Sequence, residues 1–544
     1  MPPFRAALLL ALLFPFLAAC DAEPGSVGHL VRDEAAQPVV VPTAAGPVRG
    51  AATAQGQAFL GIPFAAPPTG LQRWKPPQPP AAWDEPRDAT RLGSGCVQNF
   101  SPAYQKGESS SWMVQGDEDC LNLNIYAPAG AAQGATEKAG LPVMVWLYGG
   151  AWVLGSNRQY DLSRLAQEQG VVVVAPNYRL GTLGFLSHPE LRAAAGGATN
   201  LALLDQQAAL AWVRDNIANF GGDPGNVTLF GESAGSWSVC LQLASPGAAG
   251  LFHRAILQSG ACNAPGVTIP LSEADAGGEA MARDLGCGMP GVVPDCLANR
   301  SARELAAEPA RTRGPLGPRS WAAVVGDSVL PLDPAEAFRT GQFNRVPVLA
   351  GTNRDEGNLF SVLYRLTGEL FTTRSYDKAV SRLLADRAEA AKRLYAGEAS
   401  PALSFGSMIT DGFFICPTLA LNQSLAEWAE VHAYEFADRH AVSRLPSLPF
   451  LPPLGAYHAG EIAYVFRTPW LLADPAAFNK AQDLLSRRMQ HAWGRFAHGM
   501  PPEEGWPGFQ GDEGAVMAFA PEGSALRRDM AAAHRCGAWN SLGL

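Results

Sequence analysis

Charge is scarce in this sequence: 17% of its 544 residues are Asp, Glu, Lys or Arg, and 41 cationic side chains are outnumbered by 50 acidic ones. With a formal net charge of −9 and no Lys/Arg cluster, the chain lacks the electrostatic footprint a polyanion requires, so nucleic acid is not expected as a partner. Long apolar runs are also missing. Beyond position 30 no stretch of eighteen apolar residues occurs, and nothing there reads as membrane-spanning. There is no internal repeat. No Cys/His group has zinc-ligand spacing, so neither a metal nor an organic cofactor is expected. What the chain does have is core material: 47% apolar residues, with 13 Trp, 24 Phe and 11 Tyr.

The first twenty residues, MPPFRAALLLALLFPFLAAC, place one early cation, Arg5, before an apolar run from Ala6 to Leu17. That run is too short to span a bilayer and has the layout of an export signal. Its ending, Leu17-Ala18-Ala19-Cys20, resembles the lipobox of bacterial lipoproteins, in which the cysteine is lipidated and becomes the mature N-terminus. The plainer alternative is an ordinary cleaved signal that releases a soluble protein. Either way the mature chain lies outside the cytoplasm, and membrane contact is expected only through Cys20. Residues 21–37 are polar and read as a tether, and 38–544 as one folded domain. Export makes disulfides reasonable for some of the eight other cysteines.

Along the folded part, short β-rich runs alternate with longer helical ones. PVMVWLY, GVVVVAPNY and VTLFG read as strands, and NLALLDQQAALAWVRDNIANF as a long amphipathic helix. RVPVLAG and VHAYEFAD read as later strands. Continuous Val-rich strands fit a sheet covered on both faces, so the fold class is α/β with a large, mostly parallel central sheet flanked by helices. The stretches near 300–340 and 365–410 are expected to be helical insertions.

Directly after VTLFG stands Gly231-Glu232-Ser233-Ala234-Gly235, followed by helix-like SWSVCLQLA. A sharp strand-to-helix turn projects a serine hydroxyl clear of the sheet, and the helix start offers free N–H groups to a developing negative charge. Ser233 is therefore the candidate nucleophile. The glycine-rich end of the earlier strand, Trp146-Leu147-Tyr148-Gly149-Gly150-Ala151-Trp152, is the candidate oxyanion loop.

GESAGS together with EDCLNLNIY (118–126) resembles the two signature stretches of the type-B carboxylesterases, a family with the α/β-hydrolase fold that includes cholinesterases and bacterial para-nitrobenzyl-type esterases. The likeness extends through FLGIPFAAPP, FHRAILQSG, GTNRDEGN and YHAGEIAYVF, so it covers nearly everything from about residue 40 onward. It implies a Ser, Glu, His order, with Glu356 of RDEG and His458 of AYHAGE completing the set begun by Ser233. The residues alone leave Asp355 as a competing acid. They also leave six histidines after Glu356, at 432, 440, 458, 491, 498 and 534, of which only His458 lies in a Pro/Gly-rich loop. The resemblance further implies oxyanion donors at Gly150, Ala151 and Ala234, and a supporting polar network of Glu232, Ser259 and Glu461. Ala151 departs from the family, which commonly has glycine there; its methyl narrows the space for the alcohol or acyl group. The implied disulfides pair Cys96 with Cys120, Cys287 with Cys296 and Cys416 with Cys536, leaving Cys240 and Cys262 as buried thiols.

The expected chemistry is serine ester hydrolysis through an acyl-enzyme, acting on small to medium apolar esters, with Trp152, Trp237, Phe413 and Phe414 as candidate pocket walls. Two alternatives share the fold: a silent adhesion module, disfavoured by the intact Ser, Glu and His set, and acyl transfer to an alcohol at the same site. Cholinesterase-like specificity is not supported, because the surroundings of Trp112 do not match a choline site.

Overall fold

A computed structural model describes residues 36–100, 113–132, 140–366, 371–447, 451–511 and 514–543. The signal segment with Cys20, most of the tether, and Trp112 lie outside the described residues.

The backbone of the fold is one sheet. Its strands are β1 (Gln37–Val41), β2 (Val48–Thr53), β3 (Gly56–Pro63), β4 (Asn122–Ala127), β5 (Leu141–Leu147), β6 (Val172–Pro176), β7 (Gly222–Glu232), β8 (Arg254–Gln258), β9 (Val348–Asn353), β10 (Val431–Phe436), β11 (Val516–Phe519) and β12 (Ala525–Arg527). They lie in the order β1-β2-β3-β4-β6-β5-β7-β8-β9-β10-β11-β12, with the short strand Arg87–Asp88 added to β2. From β6 to β11 every pairing is parallel, whereas the margins beyond β6 and at β12 are antiparallel. The sheet is therefore mixed, with its parallel part at the centre. Val143–Leu147 and Val172–Ala175 are wholly buried, which is why those runs carry no polar alternation.

Helices fill the crossovers. α1 (Leu201–Asn216) precedes β7, and α2 (Ala234–Ala244) follows it and packs on β7 and β8. Later come α3 (Gly357–Leu366), α4 (Pro401–Ile409), α5 (Cys416–Ala426), α6 (Ile462–Phe466) and α7 (Lys480–Ala497). The run Pro401–Ala426 is long and apolar enough to cross a membrane by length and composition, but its most apolar window is 78% buried within the fold.

Two expectations need correction. Residues 300–340 are not a helical insertion: between the short helices Ala302–Ala307 and Pro334–Thr340 lie three short strands, Arg313–Gly314, Gly317–Pro318 and Ala323–Val325. Glycine and proline at 314, 315, 317 and 318 break any helical run there. Cys240 and Cys262 are not free thiols. They form a fourth disulfide beside Cys96–Cys120, Cys287–Cys296 and Cys416–Cys536. Packing α2 on the end of β8 brings the Cα atoms of Cys240 and Cys262 to 5.6 Å, well within bridging range. Four disulfides fit an exported protein in an oxidising compartment.

Candidate active site

The carboxyl ends of the parallel strands are where an open α/β sheet places its ligands, and the candidate residues gather there. β7 ends at Glu232, and Ser233 follows with φ 54° and ψ −122° before α2 begins. A serine in this region is strained by about 1–3 kcal/mol and persists only if its surroundings fix it. They do. The Ser233 N–H donates to the Gln258 carbonyl at 2.9 Å, and the Ser233 carbonyl accepts from Trp237 N–H at 2.9 Å. A Cβ on Gly235 would lie 1.9 Å from the Leu147 carbonyl oxygen, so only glycine lets α2 start this close to β5.

Above the elbow runs the loop after β5. Gly150 has φ 115°, and a Cβ there would meet the Leu154 oxygen at 2.3 Å; Ala151 and Trp152 also have positive φ, 56° and 58°. The Gly150 carbonyl accepts from both Val153 and Leu154, which turns the loop back on itself. Among the described residues the N–H groups of Gly150 and Ala151 have no acceptor, and Ala234 is the first residue of α2, so its N–H has none within the helix. Trp152 is fully buried, donates to Ser238 Oγ at 3.0 Å and packs on Phe185 and Trp237. It supports the loop from inside the fold.

The acid and the imidazole come from the next elements. Glu356, just beyond β9, has Oε1 on the Asn353 N–H at 2.7 Å and Oε2 on His458 Nδ1 at 2.6 Å. Asp355 is turned away: it pairs with Arg439 and accepts the Ala456 N–H at 2.9 Å, bracing the His458 loop from outside. The Asn353 amide bridges the two elements, donating to the Tyr457 carbonyl at 2.7 Å and to Glu461 at 2.6 Å. His458 Nε2, the nitrogen left free by Glu356, faces the end of β7, 3.2 Å from Glu232 Oε1. Phe414 and Phe360 lie against the ring, with centroids 4.7 and 5.2 Å away. None of the other five histidines is part of this group; His432 contacts Glu430, His498 the Gln169 carbonyl and His534 Asp411.

Of the three network residues, Glu461 accepts from Gln258 at 3.1 Å as well as from Asn353. Ser259 joins through its backbone, donating to the Gly351 carbonyl at 2.8 Å, while its buried hydroxyl has no partner among the described residues. Three buried carboxyls, Glu232, Glu356 and Glu461, thus surround one imidazole. Burial holds Glu232 well above the carboxylate range, outweighing the pull of His458, with Glu461 and Glu356 adding to the rise. Burial also raises Glu461, and Glu356 adds to it. For His458 burial acts downward, but Glu232 first and Glu356 next outweigh it and lift the ring to about 9. These shifts compete, since only an ionised Glu232 lifts His458 strongly.

Residues that the sequence reading did not single out are Asn353, Gln258 and Phe360. Their signal was position alone, since each lies within a few residues of a strand end that carries a site residue.

A serine on a strained strand-to-helix turn, with an imidazole–carboxylate pair against the residue before it at the same sheet edge, defines an α/β hydrolase. The Carboxylesterase family model matches residues 37–539, and this chain belongs to that family. It is 36% identical over 495 residues to the fumonisin B1 esterase of Sphingopyxis macrogoltabida, covering 86% of this chain and 84% of that one. It is 36% identical over 483 residues to the para-nitrobenzyl esterase of Bacillus subtilis, covering 86% and 92%. A solved PNB esterase superposes with a TM-score of 0.76 at 34% identity, covering 92% of this chain and 99% of that one. The protein is accordingly a carboxylic ester hydrolase acting on small-molecule esters.

Proposed function

We propose that Ser233 is the nucleophile, His458 the general base and acid, and Glu356 the group that orients the imidazole and stabilises its cation. The observation that carries this is the placement of His458, with Nδ1 held at 2.6 Å by Glu356 and Nε2 turned to Glu232, the residue before Ser233. His458 takes the hydroxyl proton as Ser233 attacks the ester carbonyl, and the N–H groups of Gly150, Ala151 and Ala234 hold the oxyanion. The alcohol leaves with that proton, and water then repeats the sequence to release the acid. Glu232, Glu461 and Ser259 support the imidazole.

The apolar surroundings of the imidazole support small to medium apolar esters as substrates, with residues 38–544 acting as one catalytic domain. Removal of residues 1–19 and lipidation of Cys20 would hold the enzyme at the cell surface or in the periplasm. An organophosphate should label Ser233 stoichiometrically, and Ser233→Ala should abolish both labelling and hydrolysis of para-nitrophenyl esters. Labelling elsewhere would refute the assignment. Cys20→Ser should abolish incorporation of labelled fatty acid and release the enzyme in soluble form.

A further inference from the structure

Between α4 and α5 the chain is wound as a π turn, Thr410–Ile415. Such a turn is less stable than α-helix and is usually held in place by its neighbours. Relaxing it to α would rotate every residue beyond it by about 100° relative to those before. Two contacts make the turn matter to the site. Phe414, within it, lies on the His458 ring, and the Thr410 hydroxyl accepts the N–H of Gly357, the residue after Glu356, at 2.9 Å.

What holds the turn comes largely from the far end of the chain. Asp411 accepts from Tyr395 Oη at 2.7 Å, from His534 Nδ1 at 2.7 Å and from Arg535 at 3.3 Å. The Trp539 indole N–H donates to Tyr395 Oη at 2.7 Å, so a buried chain of hydrogen bonds runs from Trp539 to the turn. The same indole lies flat against Gly412, where a Cβ would sit 2.6 Å from it. Cys416, next after the turn, is bonded to Cys536.

We propose that the C-terminal segment, through Trp539, His534 and the Cys416–Cys536 bridge, is a positioning element for His458, holding the π turn so that Phe414 stays on the imidazole. The inference rests on His458 being the base. Its consequence follows from the surroundings of Nε2. Glu232 Oε1 lies 3.2 Å away and competes with the serine hydroxyl for that nitrogen. Phe414 and Phe360 wall the ring, limit its rotation and keep water off it. If the wall loosens, the ring turns toward Glu232 and gains water, with Glu356 and Glu461 the other carboxyls near it. Both changes favour the imidazolium. Trp539 is fully buried, packed on Gly412 and bonded to Tyr395, so KM should hardly respond.

The test compares Trp539→Leu, which removes both ring and donor, with Trp539→Phe, which keeps a ring on Gly412. Rates are to be normalised to active sites titrated with an organophosphate. Trp539→Leu should lower kcat about tenfold, in line with a small displacement of a catalytic group, with KM within about twofold. The acid limb of kcat/KM should move to higher pH, and Trp539→Phe should recover most of kcat. A wild-type kcat and limb per titrated site in Trp539→Leu would overturn the proposal, as would a loss accounted for by fewer titratable sites. Should Trp539→Leu yield no folded enzyme, Phe414→Leu carries the same expectation, and an unchanged limb there overturns it equally. His458→Gln separates the two readings. Residual wild-type activity in that variant sinks the assignment of the base, whereas an inactive His458→Gln beside an unaltered Trp539→Leu sinks only the role of the C-terminal segment.

Discussion

Glu232 stands next to Ser233, is buried, and is the carboxyl with the largest upward influence on His458. Glu232→Gln removes the carboxylate that lifts His458 most. The imidazolium loses its strongest attraction, so the acid limb of the kcat/KM profile should move to lower pH; a limb that stays put or rises would contradict the electrostatic account. Ala151 is the other informative position. Its φ of 56° costs an alanine roughly 1 kcal/mol that glycine would not incur, and it stands in the loop proposed to supply the oxyanion donors. Ala151→Gly should raise kcat/KM for tertiary-alcohol esters relative to primary ones by about tenfold, the worth of roughly one methylene in a pocket. Ser233 was legible from GESAG because glycine spacing encodes the elbow directly. Glu356 against Asp355 was not legible from the residues alone. The two are neighbours of like chemistry, and only the path of the chain beyond β9 turns one inward to His458 and the other outward to Arg439.

The elbow is held by elements on both sides, α2 on one and the turn after β8 on the other. The disulfide Cys240–Cys262 joins them 22 residues apart in sequence, and the Ser236 hydroxyl donates to the Gly260 carbonyl at 2.7 Å nearby. Replacing both cysteines by alanine should cost about 3 kcal/mol of stability, read as a lower denaturation midpoint. The sequence reading left this pair as thiols because one lies inside a helix and the other in a loop, and no spacing rule connects them. The signature around 118–126 was legible for a different reason. Glu118 forms a bidentate ion pair with Arg73, and Cys120 closes the loop to Cys96, so several constraints fall on one short stretch. Residues 300–340 show the opposite case, because strands of two or three residues have too little period for either helix or strand patterning to register.

At the scale of the whole molecule, β10 and the C-terminal segment are joined by a buried charge cluster. Burial raises Glu435, but His534, Arg354 and Arg527 outweigh it and bring it to about 2; burial lowers His534, but Asp411 and Glu435 outweigh it and bring it to about 9. The carboxylate's contribution is present above its unfolded value of 4.5 and is lost as pH falls through about 2. The imidazolium's contribution is complete below its unfolded value of 6.5 and is lost as pH rises through about 9. Thermal stability should therefore be greatest between about 4.5 and 6.5 and decline on both sides. Glu435→Gln should flatten the acid side of that curve; a variant that keeps the full slope would show that the cluster does not set it.

Local structure was written into the sequence wherever a short stretch meets its own constraint: the glycines of the elbow, the Val-rich central strands, the glycine-rich turn after β5. Those features depend on backbone sterics and burial that a few neighbouring residues determine. Tertiary structure alone decided which acid meets His458, that Cys240 finds Cys262, and that the last residues of the chain reach back to the turn carrying Phe414. Each of these joins groups remote in sequence, and their meeting depends on strand order and crossover packing, which no local pattern records.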